Sequence, residues 1–170
     1  MKANDWQRWI EAGAKRIAER AERDLAALVD VSSPSGDIEA AEAVVAVATA
    51  LLPDGVTTER LECSSPNHAE DLLAHLPGTG EGKLLLLGHL DTVIPHAEHH
   101  PMRREGDLLR GPGTIDMKGG VALSLGVARM LAERPELFAE VSLLLVVDEE
   151  WRTAPFAHAA RFADHDACLC

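Results

Sequence analysis

Residues 84–120 decide the fold and read LLLLGHLDTVIPHAEHHPMRREGDLLRGPGTIDMKGG. The stretch opens with an uninterrupted apolar run, Leu84–Leu87, which Gly88 ends. A short apolar run of this kind is typical of a strand that is buried on both faces, as in parallel or mixed sheets covered by helices. The sequence therefore predicts an α/β fold whose sheet contains this strand.

Polar residues follow two such strands. His89 and Asp91 come directly after the first run, and a second apolar run, Val141–Val147, is followed by three acids at 148–150. Asp116 lies in a turn rich in Gly and Pro. Because the ligand sites of open α/β sheets gather at the carboxyl ends of strands, we expect these side chains to meet in one site.

The rest of the chain predicts further helices and strands. Apolar residues recur at helical spacing over about 5–30, 38–51 and 117–133, and a helix is also predicted near 153–162. Short strands are predicted at 56–61 and 71–76, and their lower apolar content suits the edges of the sheet. Ser35 or Asp37 is expected to cap the helix that begins at residue 38. A last strand starting at residue 167 is too short beside a typical strand, so we expect the chain to be cut within an element.

Composition limits the class of protein. The 170 residues suit one domain, and 46% hydrophobic residues support a globular chain. A net charge of -12 argues against nucleic acid or an anionic membrane as partner, and no apolar run has the length of a membrane span. The charged first 20 residues lack the apolar centre of a signal peptide, so we expect a cytoplasmic protein. The three cysteines, Cys63, Cys168 and Cys170, are interpreted as small buried hydrophobic residues.

The expected site has the chemistry of a metal-dependent hydrolase. Zinc takes imidazole nitrogen and carboxylate oxygen as ligands, so His89 can bind a metal while Asp91 accepts the other ring N–H. The two oxygens of Asp116 could bridge two metal ions. Glu149 and Glu150 point different ways along the chain, so one can bind metal while the other takes a proton from water.

These motifs resemble a known family. GHLDTV, GPGTIDMKGG and the strand ending in DEE are similar to the metallopeptidase family that holds acetylornithine deacetylase, succinyl-diaminopimelate desuccinylase, aminoacylases and bacterial glutamate carboxypeptidases. The resemblance covers residues 25–170 and implies a three-layer α/β/α catalytic domain with a mostly parallel or mixed sheet. It also implies two zinc ions, with cobalt or manganese as alternatives, and hydrolysis of the amide bond of an N-acyl amino acid or small peptide.

The resemblance also implies a role for each residue. His89 corresponds to a ligand of the first metal. Asp91 corresponds to the catalytic residue that orients the His89 ring. Asp116 corresponds to the bridging carboxylate, followed by a cis peptide bond to Met117. Glu149 corresponds to the general base and Glu150 to a ligand of the other metal.

The chain departs from the family in two ways. Members usually place a Gly soon after the paired glutamates, where this chain has Trp151-Arg152-Thr153. The family's remaining ligands, its lid domain and the C-terminal catalytic portion are absent, so residues 1–170 are interpreted as the N-terminal portion of a catalytic domain. The resemblance further implies a homodimer for the full-length protein. The alternative is a truncated or degenerate domain that binds metal weakly or acts as a scaffold.

Other polar residues are given simpler roles. His96, His99 and His100 are interpreted as part of a solvated loop or a loop at the rim of the substrate site. The serines at 32, 33 and 35 lack a nucleophile-elbow motif, so they are expected to cap a helix. Lys118 has two alternative interpretations: it attracts an anionic substrate, or it is a surface lysine near a helix start.

Overall fold

The computed structural model describes residues 3–170, and it describes side chains from residue 5 onward. Residues 1 and 2, with which the predicted domain begins, lie outside this description. In chain order the elements are α1 (Ala3–Val29), α2 (Ile38–Ala50), β1 (Thr57–Leu61), β2 (Asp71–Pro77), β3 (Lys83–His89), β4 (Arg103–Glu105), β5 (Leu108–Arg110), α3 (Lys118–Ala132), β6 (Glu140–Val146) and β7 (Ala167–Leu169). Short 3-10 helices lie at His96–Glu98, Pro135–Leu137 and Ala159–Phe162.

Five strands form a mixed sheet in the order β1-β2-β6-β3-β7. Strand β3 runs parallel to both β6 and β7, whereas β2 runs antiparallel to both β1 and β6. The predicted α/β class with a mixed sheet is therefore confirmed. The edge position predicted for β1 is also correct, but the one predicted for β2 is wrong, because β2 lies between β1 and β6.

The two faces of the sheet are covered differently. One face packs against all three α-helices in the larger core cluster, which includes Leu28, Val44, Leu125, Leu86 and Leu145. Alternate residues of the same strands, such as Leu85 and Leu144, face the opposite way and meet Phe156 and Phe162. In the described part of the chain, this second face is covered by the irregular segment after β6.

Local signals explain where the helices begin. The Asp37 side chain accepts a hydrogen bond from the Ala40 N–H at 2.9 Å and so caps α2. Of the two predicted caps, Asp37 is thus the correct one. The capping role predicted for the serines is wrong, because Ser33 Oγ donates to Leu90 O at 2.8 Å and Ser32 Oγ lies 2.8 Å from His96 Nδ1.

The helix predicted near 153–162 does not form. Its first part is irregular, and only Ala159–Phe162 forms a 3-10 helix. Pro155 lacks an N–H and disfavours helical geometry at the residue before it. The segment is tied to the chain after β1 instead, since Thr153 N–H donates to Ser65 Oγ and Ala157 N–H donates to Ser64 Oγ.

An unpredicted hairpin interrupts the long loop after β3. Strands β4 and β5 pair antiparallel around a two-residue turn, Gly106-Asp107, and their side chains are mostly exposed. A Gly-Asp pair between two short runs is a recognisable hairpin signal, so the sequence did contain the information. Among the described residues, no helix is long and apolar enough to cross a membrane.

Candidate metal centre

The two site-bearing strands end side by side. His89, the last residue of β3, is paired in parallel register with Val146, the last residue of β6. Neighbouring strands lie about 4.8 Å apart, so the acids that follow β6 begin beside His89. The parallel register therefore brings the HLD and DEE motifs to the same edge of the sheet, as the sequence predicts.

The His89 ring is buried and held from one side. Its Nδ1 atom lies 3.1 Å from the backbone oxygen of Asp91 and 3.3 Å from Asp91 Oδ1. Its Nε2 atom faces the other acids, at 3.0 Å from Asp116 Oδ1 and 3.8 Å from Glu149 Oε2. The ring is thus oriented so that Nε2 is directed toward the carboxylates.

The acids around His89 favour positive charge. Burial alone would lower the pKa of His89, but its hydrogen bonds with Asp91 and Asp116 outweigh burial and raise this pKa to about 9. Burial raises the pKa of Glu150 above its usual value, and the nearby carboxylates of Asp116 and Asp91 add to the rise. Neighbouring carboxylates thus contribute to both shifts, and a bound cation would offset their negative charge.

Asp91 connects the two motifs. Its carboxylate accepts hydrogen bonds from the backbone N–H of Glu149 at 3.2 Å and of Glu150 at 3.0 Å. Burial opposes ionisation, but hydrogen bonds with His89 and the Glu150 N–H hold the pKa of Asp91 below its usual value. The carboxylate therefore remains charged in a buried position and fixes both the imidazole and the turn that carries the glutamates.

Asp116 lies in an exposed loop, and its side chain is 69% exposed. The peptide bond from Asp116 to Met117 is cis, as the family resemblance implies. Gly113, with a φ of +72°, turns the chain before this bond. The loop is joined to α3, because the Lys118 N–H donates to Gly113 O at 2.8 Å.

Lys118 is buried, so its predicted surface position is wrong. Its Nζ atom donates to Leu28 O at 3.0 Å and to Val31 O at 2.9 Å, at the end of α1. Burial lowers the pKa of Lys118 to about 8, although attraction to Asp91 opposes the shift. The side chain thus fastens the start of α3 to α1, which sequence periodicity could not reveal.

The structure brings together a set of metal-ligand atoms. One atom each from His89, Asp116 and Glu150 lies within 4.8 Å of the others. Glu149 and Asp116 line a cavity with His89, whereas Glu150 and Asp116 line a different one. Asp116 therefore borders both cavities, and the two glutamates face different ones. A nitrogen and carboxylate oxygens are the donors that zinc, cobalt and manganese accept, so the residues fit such an ion.

A second cluster lies deeper in the protein and is already satisfied. Cys63, Asp71 and Asp148 are buried within 4.8 Å of one another. Asp71 accepts from Val147 N–H and contacts the His158 ring, and all four oxygens of the two aspartates have protein partners. This cluster supports the turn after β6 and is not a second candidate for metal. No sequence motif indicates this cluster, because its members lie far apart in the chain.

The predicted burial of the cysteines is correct for one of them. Cys63 is buried, whereas Cys168 and Cys170 are exposed along and after β7. In the described residues β7 is an edge strand, so its side chains have fewer neighbours than those of β3. The histidines at 96, 99 and 100 lie in a loop that is exposed or half-buried, as predicted.

The mixed sheet and the candidate ligands at its strand ends make this chain an α/β protein with a candidate metal centre. The profile described as peptidase family M20/M25/M40 matches residues 85–168. The chain is 31% identical over 132 residues to carboxypeptidase G2 of Pseudomonas sp. (strain RS-16), covering 75% of this chain and 32% of that protein. It is 35% identical over 125 residues to a succinyl-diaminopimelate desuccinylase of Corynebacterium glutamicum, covering 72% and 31%. Over these residues the chain is similar in sequence to peptidase family M20/M25/M40.

Solved structures share the fold. A tripeptidase from Staphylococcus aureus superposes with a TM-score of 0.62 at 23% identity, over 78% of this chain and 37% of that chain. Human carnosine dipeptidase 1 gives a TM-score of 0.69 at 17% identity, over 84% and 35%. This chain therefore spans about a third of the length of the relatives described here.

Proposed function

We propose that this chain forms part of a metal-dependent hydrolase that cleaves the amide bond of an N-acyl amino acid or small peptide. The observation that carries the proposal is the convergence of His89, Asp116 and Glu150 at neighbouring strand ends, with Asp91 orienting the imidazole. Relatives named as a carboxypeptidase and a desuccinylase support the reaction class.

We further propose that the ion is zinc, two per complete site, with cobalt or manganese as substitutes. His89 and Asp116 would hold one ion, and Asp116 and Glu150 the other. When bound, such ions polarise the substrate carbonyl and make water easier to deprotonate at neutral pH. The donor set of one imidazole nitrogen and two carboxylate groups supports this assignment.

Glu149 is proposed as the general base. Its carboxylate is about half exposed and lies 3.8 Å from His89 Nε2, in the cavity that Asp116 also lines. There it would take a proton from the attacking water and return the proton to the leaving amine nitrogen. Asp91 touches no substrate in this scheme and acts by holding His89 and the glutamate turn in place.

The wider arrangement stays a prediction. Residues 1–170 are proposed as the N-terminal portion of a catalytic domain, in a longer protein that forms a homodimer in the cytoplasm. Mass measurement of the native protein, its sedimentation and cell fractionation would test these three statements. A native protein of 18.3 kDa without stoichiometric metal would favour the non-catalytic alternative.

The test of function uses the full-length gene product, purified with zinc and assayed on N-acetyl amino acids and dipeptides. We expect amide hydrolysis that a chelator abolishes and added zinc, cobalt or manganese restores. His89→Asn should lose metal and activity. His75→Asn should keep both, because His75 on β2 contacts Glu140 on β6, away from the site. Activity that survives both chelation and His89→Asn would refute the proposal.

A further inference from the structure

A cavity of about 410 Å³ adjoins the candidate metal centre, within the size range of small-molecule sites. Its lining includes His89, Asp116 and Glu149 of the candidate site. Apolar side chains, among them Val146 and Phe156, also line it. The cavity thus combines polar groups of the candidate site with apolar surface, as small-molecule sites do.

Arg152 brings a permanent positive charge to this cavity. Among the described residues that line it, Arg152 is the one lysine or arginine, whereas Asp116 and Glu149 are acids. An anionic group of a ligand would therefore be repelled by the carboxylates and attracted at Arg152.

The guanidinium of Arg152 is hydrogen-bonded to Asp148 and keeps other donors available. Its Nε and one terminal nitrogen both donate to Asp148 Oδ1, at 3.2 Å and 3.1 Å, because Ser65 occupies Asp148 Oδ2. The Phe156 ring centroid lies 5.0 Å from the guanidinium carbon. A guanidinium has five N–H groups, and no described residue other than Asp148 accepts from this one.

The contact with Asp148 leaves part of the guanidinium available to another acceptor, because it uses two of the five N–H groups. Two N–H groups of Arg152 donate to the same oxygen of Asp148, and the Arg152 side chain remains 23% exposed. The remaining donors are the kind that bind a second carboxylate.

We propose that Arg152 binds a carboxylate group of the substrate in this cavity. The preferred substrates are then N-acyl amino acids or small peptides that carry an acidic group close to the amide bond to be cleaved. Arg152 determines specificity and takes no part in bond breaking. The inference rests on the proposed hydrolase function for its substrate class, whereas carboxylate binding itself can be measured without turnover.

Binding of a dicarboxylate is the first test. Glutarate and its monoamide, glutaramate, differ in one charge, and both can be titrated calorimetrically into the zinc-loaded full-length protein. We expect glutarate to bind about 10- to 100-fold more tightly than glutaramate, the range for a charge-assisted pair. Arg152→Gln should reduce this preference to about twofold or less, and Arg152→Lys should retain part of it because the charge remains.

The matched control is Arg161→Gln. Arg161 is an exposed arginine that pairs with Glu59 and does not line the cavity. This variant should keep the full preference for glutarate. A wild-type protein with no preference, or an Arg152→Gln protein with an unchanged one, would overturn the inference.

Turnover provides a second test that separates the two proposals. The ratio of kcat/KM for N-acetylglutamate over N-acetylglutamine is measured on one preparation, so partial unfolding affects both substrates equally. We expect Arg152→Gln to lower the ratio about tenfold or more through KM, and an unchanged ratio would overturn the inference. If neither substrate is hydrolysed but the glutarate preference depends on Arg152, the hydrolase proposal fails and the carboxylate site stands.

Discussion

Asp91 Oδ2 accepts a hydrogen bond of 3.0 Å from the backbone N–H of Glu150, across 59 residues of chain. The same carboxylate contacts the His89 ring at 3.3 Å. One buried side chain thus sets the relative position of the two strand ends that carry the candidate ligands. Removing the Asp91 carboxylate should therefore weaken metal binding more than it destabilises the rest of the fold.

Asp91→Asn is therefore expected to lower zinc affinity about 10- to 100-fold, the usual effect of losing a partner that orients a ligand. The amide keeps the volume of the carboxylate, but its NH2 group cannot accept from the glutamate turn. Zinc affinity is measured by competition with a chromophoric chelator. Asp107→Asn, on the exposed hairpin turn, removes the same charge and should leave the affinity unchanged. Equal zinc affinity in wild type and Asp91→Asn would contradict the orienting role.

The two glutamates should respond differently to the same change. We expect Glu149→Gln to lower kcat about 100-fold or more while zinc content is kept, because only the proton carrier is lost. Glu150→Gln should lower zinc content, because a proposed ligand is lost. Zinc is measured by atomic emission and kcat with N-acetyl substrates, both on the full-length protein. The opposite pattern would exchange the two roles.

Gly113→Ala tests how tightly the loop before Asp116 is packed. An added Cβ would lie 2.9 Å from Thr92 Cγ2 and 3.2 Å from Lys118 Cδ, at a φ of +72°. We expect a loss of about 2–4 kcal/mol in the free energy of unfolding, from crowding and strained backbone together. Gly106→Ala is the matched control, because its φ is +62° but nothing lies within 4 Å of the added Cβ. It should cost about 1 kcal/mol, and equal losses would show that crowding is absent at Gly113.

Asp71 should give the protein a specific pH dependence. Burial raises its pKa from 3.8 to about 6, and hydrogen bonds from His158 and the Val147 N–H only partly oppose the rise. Between about pH 4 and pH 6 the folded state thus binds more protons at this group than the unfolded state, so its contribution to stability falls as the pH rises.

Asp71→Asn removes this contribution. Relative to the variant, the wild type should lose stability from pH 4 to pH 6, by at most about 1.4 kcal/mol per pH unit. Urea unfolding of both proteins at pH 4, 5, 6 and 7 measures the difference. A difference that stays constant over this range would show that the Asp71 carboxyl has no raised pKa in the folded protein.

The sequence predicted the strands and helices that carry the site because their signals are local. Apolar runs identified β3 and β6, and helical spacing identified α1, α2 and α3. The predicted helix near residue 153 failed because Pro155 and contacts with Ser64 and Ser65 outweigh a weak helical pattern. The ligand, base and bridging roles of the site residues stay predictions, and the experiments above address them.

The supports of the site could not be predicted, because they depend on contacts distant in sequence. Asp71 reaches the Val147 N–H across 76 residues, and Lys118 reaches Leu28 O across 90. Lys118 lies within the motif GPGTIDMKGG, but no motif indicates either contact. Hydrophobic periodicity also does not show which polar side chain will find a buried partner. Only the folded sheet and its packed helices place these groups together.

In the sequence, the hairpin β4–β5 lies between Asp91 and Asp116, and it does not belong to the five-stranded sheet. A one-residue insertion in β3 or β6 would turn alternate side chains to the opposite face and separate His89 from its neighbour Val146. An insertion at the exposed turn of the hairpin leaves that register unchanged. The hairpin tip is consequently the place where an epitope tag or a fluorescent label can be added while the strand ends stay aligned.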